Sequence, residues 1–520
     1  MQWYRLSRRG LLAGSATLGF AAAFHPRLGR AQDASVLRVR SYSDLQVLDP
    51  AHRKAQPEGD IMRAIYTKLI DYAPGDVWQW RPTGAASIEQ VDPRHVRFAL
   101  RPGIMFTGGF GEMTAEDVKF SYERIADPAQ QSEYADDMAQ LDHVEVIDRY
   151  SGVIVLKEPF APLWTSSLPG ATGCIVSKAA LEQAGGSFTT EPPATAGPYK
   201  IQSWQPKQRL TLVRDPDWNG APGGFEEIQI FPIEDEKAAE IAFEAGELDY
   251  TAVSVSSLPT YEASPPAGAK LVRKPSLAYV WLGMNTEAPP FDDPRVRRAV
   301  QRAVDVDAVL EAAYFGVADR ATGIVAPGLI GHRDKLLNDP APNLEAARAL
   351  LAEAGHPDGF SCTLDTLNKT ERLSAAQVIQ ANLAEIGIDV QINQHDSGTF
   401  WVLGSEADGD RWQSVQLILN RFSMQPDPSF ATAWFTPEQI GIWNWERFRS
   451  EEFGELHRQA MVTTDEAERD PMYRRMQDLM EESGAYVFLT HETNGAIFRD
   501  TIAPALLPDA NVILPEFRPV

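Results

Sequence analysis

The chain has 520 residues with 48 Lys+Arg against 72 Asp+Glu, a net charge of −24, and two cysteines. A chain this acidic repels phosphate backbones and anionic lipid surfaces, so nucleic-acid binding and membrane-surface binding are excluded as expectations. The length calls for two to three domains rather than one core, and at this size a core needs no disulfide staples.

Residues 1–31 differ from the rest. They hold Arg5, Arg8, Arg9, Arg27 and Arg30 and no acid. The apolar run from Leu11 to Phe24 is too short for a spanning helix, which needs about 20 residues. The pattern is a cleavable export signal ending near Ala31, and Ser7-Arg8-Arg9 points to the twin-arginine route. Loss of its five arginines takes the net charge from −24 to about −29. Cys174 and Cys362 are expected to be buried free thiols, because folding before export takes place in a reducing compartment.

Val36 to Arg40 alternates as a strand and breaks into the loop SYSDLQVLDP. In Phe98 to Ile125, a strand at Phe98 and Leu100 ends at Pro102-Gly103. A Gly108, Gly109, Gly111 loop follows, then a helix whose first turn pairs Thr114 with Asp117. Gly185 to Pro198 is a boundary rich in Gly, Pro and Thr. Beyond it come three strands and a helix from Asp235 to Ala245, with Ile241, Ala242 and Ala245 on its apolar face. Trp78, Trp80 and Trp204 are expected to be structural. Past a second boundary at Pro289-Pro290 helices dominate: one capped by Asp293, one by Asn343, one over Ser374 to Ile386, and one over Glu466 to Glu482. The order of elements predicts an α/β fold with mixed β-sheets.

No catalytic signature emerges. There is no GxSxG elbow, no phosphate-binding glycine loop with Lys-Ser/Thr, no HExxH and no CxxC. His491-Glu492 opens like a zinc-protease motif but carries Gly495 where the second His belongs. No His pair has metal-ligand spacing, so neither a metal nor a cofactor is expected and the chain is not read as an enzyme. A secreted hydrolase stays a remote alternative that would need an activated nucleophile.

Several segments resemble the family 5 extracellular solute-binding proteins, the peptide and nickel receptors of bacterial ABC importers. These are IYTKLIDY, the Phe98 to Ile125 stretch, AGPYKIQSW, GELD, AYVWLGMN, PPFDDPRVRRAVQRAVD and AARALLAEAGHPDG, in that order. The resemblance implies a two-lobed periplasmic clamshell. Lobe one would be the discontinuous set 33–55, 191–285 and 490–520, with an inserted domain over 56–190, and lobe two 286–489. A small-molecule or peptide ligand would bind between the lobes and pass to permease subunits in the inner membrane, driven by separate ATPase subunits. The protein is expected to be a monomer.

In peptide-binding members an Asp three residues before an acidic-Pro pair holds the ligand's α-amino group. In NRFSMQPDP that pair resembles Asp427-Pro428, and the amine-binding position falls on Met424. A Trp often found six residues before the pair is replaced by Arg421. The departure implies a carboxylate or other anionic group on the ligand, which arginine binds bidentately. Alternatively, Arg421 pairs with a neighbouring acid. Ligand-binding candidates are Tyr42, Ser43, Asp44, Tyr134, Tyr279, Trp281, Asn285, Trp401, Arg421, Met424, Trp443 and Asn444. Peptides are the default ligand. An anionic amino-acid derivative of opine type, an oligosaccharide or a metal chelate on the same fold is the alternative.

Overall fold

The computed structural model describes residues 35–520, so the leader's expected features lie outside the described residues. A ten-stranded mixed sheet runs through the molecule. It is two half-sheets joined by a pair of long antiparallel strands, Ala269–Met284 and Tyr486–Arg499. Their register runs from Ala269–Arg499 to Pro275–Thr493, breaks, and resumes from Tyr279–His491 to Gly283–Tyr486.

On one side of the break the second strand pairs with Tyr250–Val253, which leads to Val36–Ser41, Glu227–Pro232, Arg209–Arg214 and Tyr199–Gln205. On the other side the first strand pairs with Leu417–Ser423, followed by Phe360–Leu367 and Ile388–His395. The lobes therefore change over at Ser276–Ala278 and Glu492. The Pro289-Pro290 signal lies just past the end of the first long strand at Met284.

The inserted domain has its own four-stranded antiparallel sheet: Ala85–Asp92, His95–Leu100, Ser151–Leu156 and Leu141–Val146. Helix Ala115–Ala126 covers it, with Val118, Tyr122 and Ile125 packed on Val96, Phe98 and Ile154. Asp117 accepts from the Thr114 backbone N–H at 2.9 Å, the reciprocal half of a capping box. Gly152 pairs with Phe98, and a Cβ there would sit 2.7 Å from the Phe98 ring, so only glycine fits.

Caps at Asp235, Asp293 and Asn343 each accept a backbone N–H of the first turn, and the last long helix spans Glu466–Glu482. The helix expected from Ser374 starts a turn earlier, at Thr370–Ala384. One apolar face is corrected. In Glu236–Glu244 the buried apolar residues are Ala239, Ala242 and Phe243, while Ile241 is 67% exposed. The large Phe243 ring, stacked under Arg499, sets which face turns inward. Cys174 and Cys362 are both free and buried. No helix of the described residues is long and apolar enough to cross a membrane.

Candidate functional site: a cleft between the lobes

A cavity of about 420 Å³ lies between the lobes, within the range of roughly 300–1,000 Å³ usual for small-ligand sites. Lobe one contributes Tyr42, Arg53 and Gln56; the inserted domain contributes Asp137, Thr165 and Ser166. Lobe two contributes Arg421, Ser423, Met424 and Gln425, and the hinge contributes Ser276 and Asn494. Asp509 and Asn511 close it from the C-terminal segment.

The lobes are shut on one another. Thr165 Oγ1 donates to Asp427 Oδ2 at 2.7 Å, Ser166 donates to Gln425, and Gln425 Nε2 donates to Asp137 Oδ1 at 3.3 Å. The Ala161 backbone N–H donates to the Met461 carbonyl at 2.9 Å. Asp427 is fully buried and receives Arg469 Nη2 at 2.9 Å on both oxygens. Burial opposes ionisation of Asp427, but Arg469 and the Ser429 and Thr165 hydrogen bonds outweigh it and hold its carboxyl below the usual range.

The loop carrying Arg53 is built by one carboxylate. Glu58, 1% exposed in helix Gln56–Ile65, accepts the backbone N–H groups of Gln46, Val47, Lys54 and Ala55 at 2.6–3.0 Å. Asp49 ties the same loop to Arg124 of the inserted domain at 2.5 and 2.8 Å. On lobe two, Arg421 Nε donates to Glu492 Oε2 at 2.9 Å, while Glu492 Oε1 accepts from the buried Arg372. Burial again opposes the Glu492 charge, and the two arginines overcome it, keeping its carboxyl low. Two cleft carboxyls go the other way: burial raises Asp137 and Asp509, each only partly offset by its hydrogen bonds.

Of the sequence candidates, Tyr42, Arg421 and Met424 line the cavity. The others are placed elsewhere. Tyr279 and Trp281 are 1% exposed and belong to the lobe-two core against Phe422 and Phe435; Trp281 Nε1 donates to Glu446 at 2.7 Å. Asn285 donates to the Val415 carbonyl, and Asn444 holds the 435–448 turn through the carbonyls of Phe435, Thr436 and Phe448. Trp401 and Trp443 pack on each other and on Trp445, outside the walls of this cavity. Asp44 accepts from Trp204 Nε1 and the Lys207 N–H, a loop-anchoring role. Ser43 receives no ligand-facing geometry, its N–H donating to Ser41 Oγ. Tyr134 lies beneath the Arg53 guanidinium, 5.0 Å from its ring centre, so it supports the wall from behind. Trp78, expected to be structural, lines the cleft edge-on to Tyr72 at 5.0 Å.

Arg53, Asp137, Gln425 and Asp509 carry no local sequence signal. Only Gln425 sits beside a marked motif, two residues before Asp427-Pro428. Among the described residues, no group of three or more His, Cys, Asp or Glu could hold a metal ion. A second cavity, about 460 Å³, borders Arg63, Lys68, Arg101 and Trp218 but has no lobe-two wall, so closure does not enclose it.

The family model for "Bacterial extracellular solute-binding proteins, family 5 Middle" matches residues 79–440. The chain belongs to the family 5 bacterial extracellular solute-binding proteins. This family 5 protein is 28% identical over 406 residues to the glutathione-binding protein GsiB of Pectobacterium atrosepticum, covering 76% of each chain. Its fold is similar to HbpA2 of Haemophilus parasuis, with TM-score 0.83, 22% identity, and 93% and 100% of the two chains covered. It is also similar to the oligopeptide-binding protein AppA of Bacillus subtilis in complex with a nonapeptide, with TM-score 0.73, 21% identity, and 93% and 99% covered. These neighbours share the two-lobed architecture. The family is one of transporter solute receptors, not an enzyme family.

Proposed function

We propose that this family 5 protein is the periplasmic peptide-binding component of an ABC importer. It takes a short peptide between its lobes and delivers it to a membrane permease worked by separate ATPase subunits. The observation that carries the reading is a cavity walled by both lobes and bordered by the Thr165–Asp427 and Ser166–Gln425 hydrogen bonds. A ligand there touches both lobes only when they are shut, so binding stabilises closure, and closure is the state a permease can sense. Relatives named for binding glutathione and a nonapeptide support peptides over the other solutes.

Arg421 supplies the anchor for a ligand carboxylate, and Tyr42 and Met424 line the same space. The protein acts as a monomer, without cofactor or catalysis. It reaches the periplasm by the twin-arginine route, with the leader removed near Ala31. Calorimetric titration of the mature protein with Ala-Ala-Ala, glutathione and a hexapeptide tests the peptide reading: at least one should bind, and heat-silent titrations with all three overturn it. Arg8-Arg9→Lys-Lys should strand the protein in the cytoplasm, and normal export would refute the route.

A further inference from the structure

Two guanidinium groups face the cleft from opposite lobes with donors to spare. Arg53 is half-buried on lobe one, and among the described residues no carboxylate lies within ion-pair distance of it. Its Nε is buried without a hydrogen-bond partner, and Nη1 reaches only Gln56 Oε1 at 3.5 Å, the limit of a hydrogen bond. Arg421 on lobe two spends Nε on Glu492 and leaves both terminal nitrogens without a protein acceptor among the described residues. The other cleft cations, Arg63 and Lys68, already share Asp71, at 3.0 Å each.

The cleft carboxylates form no ion pair with either arginine, although the Arg53 charge reaches Asp137 and offsets part of the effect of its burial. Asp137 accepts from Gln425 and Thr172, and Asp509 accepts from Asn511. Neither has a cation within ion-pair distance, yet both are buried and line the cavity. Buried charges without a paired opposite charge are costly, and a ligand that supplies the opposite charge relieves the cost.

Resting on the peptide reading, we propose that the ligand is a peptide bearing two carboxylates and one ammonium group. One carboxylate binds Arg53 and the other Arg421, so that the ligand bridges the lobes through charge-assisted hydrogen bonds at both ends. The ammonium sits against Asp137 or Asp509. A peptide with a single carboxylate satisfies one arginine and leaves the spare donors of the other without an acceptor in the closed form. The pair of arginines is thus a selector for the second carboxylate.

The test is calorimetric titration of the mature protein with three probes: glutathione, with two carboxylates and one ammonium; its glycine amide, which lacks one carboxylate; and Ala-Ala-Ala, with one. Glutathione should bind tightest, and each of the other two about ten- to a hundredfold more weakly, the span set by one lost hydrogen-bonded charge. Arg53→Gln and Arg421→Gln should each weaken glutathione by a similar factor. The variant at the arginine that holds the glycine carboxylate should also lose the discrimination between glutathione and its amide. An arginine that merely supports the fold would weaken all three probes alike. Equal affinity for glutathione and Ala-Ala-Ala overturns the proposal while leaving the peptide reading standing, as does unchanged glutathione affinity in both variants. Binding of none of the three overturns the proposal, and a hexapeptide that also gives no heat overturns the peptide reading itself. The ligand-side comparison uses the unaltered protein and stays decisive if either variant fails to fold.

Discussion

Replacing Thr165 with Val should loosen closure by a calculable amount. The Thr165 hydroxyl is the inserted domain's donor to Asp427 Oδ2, at 2.7 Å, and the acceptor is an ionised, fully buried carboxylate on lobe two. Valine keeps the shape and removes the donor. Hydrogen bonds to charged groups contribute about 1.5–3 kcal/mol, and removing one partner exposes the desolvation cost of the other. Asp427 keeps Arg469 and the Ser429 N–H, so the lower end applies, about 1.5 kcal/mol. Opening hydrates Asp427 from the side Thr165 vacates, so the loss falls on the closed state alone. The closed-to-open ratio should fall roughly tenfold, and peptide affinity should weaken by the same factor where the free protein is mostly open. Calorimetry measures the affinity, and small-angle scattering of the free and loaded protein measures the compaction. Unchanged affinity with unchanged scattering would refute the assignment of Thr165–Asp427 as a closure contact.

Arg469→Met should destabilise the fold by about 3–5 kcal/mol in urea unfolding, because it strands the buried Asp427 charge. Adding Asp427→Leu should recover most of that loss, and a neutral single variant would refute the pairing. Burial pushes the Glu446 carboxyl up to about 7, despite the Trp281 N–H bonded to it. A folded value raised above the unfolded one gives stability that is complete below about pH 4.5 and lost as pH rises through 7, about 3 kcal/mol in all. Glu446→Gln should cut the stability lost between pH 4.5 and 8 by that amount, whereas parallel pH curves for both proteins would exclude it. Cys174 and Cys362 are buried, with burial raising their thiols to about 11 and about 12. Neither should react with a disulfide reagent until the chain is unfolded, and fast labelling of the native protein would show otherwise.

The fold was legible because its signals are local and contiguous. Thr114 and Asp117 mark a helix start wherever they fall, and Asp235, Asp293 and Asn343 cap helices within a residue of their expected places. The cleft was less legible because it is assembled from segments scattered between Tyr42 and Asn511. Tyr279 and Trp281 alternate correctly along their strand, but that strand is central and covered on both faces. Val280, Leu282 and Met284 enter one core while Tyr279 and Trp281 enter another. Alternation tells which residues share a face and is silent on whether that face meets a cavity or a core. Arg53 was missed for a related reason. Its position follows from Glu58 gathering four backbone N–H groups, a contact across a loop that no spacing rule encodes.

The strand Tyr486–Arg499 belongs to both half-sheets, lying between Tyr250–Val253 and Ala269–Met284 in one and flanking Ala269–Met284 in the other, and it follows all the other strands of the ten-stranded sheet in sequence. During synthesis neither half-sheet can be completed until that strand has left the ribosome. The preceding chain holds the flanking strands with a gap between them: Tyr250–Val253 lacks a neighbour on one side, and the Ala269–Met284 ladder is open along its length. Assembly of both lobes is thereby deferred to a single late event. A truncated product ending before residue 486 carries an unpaired strand edge in each lobe, the signature that chaperones and proteases read.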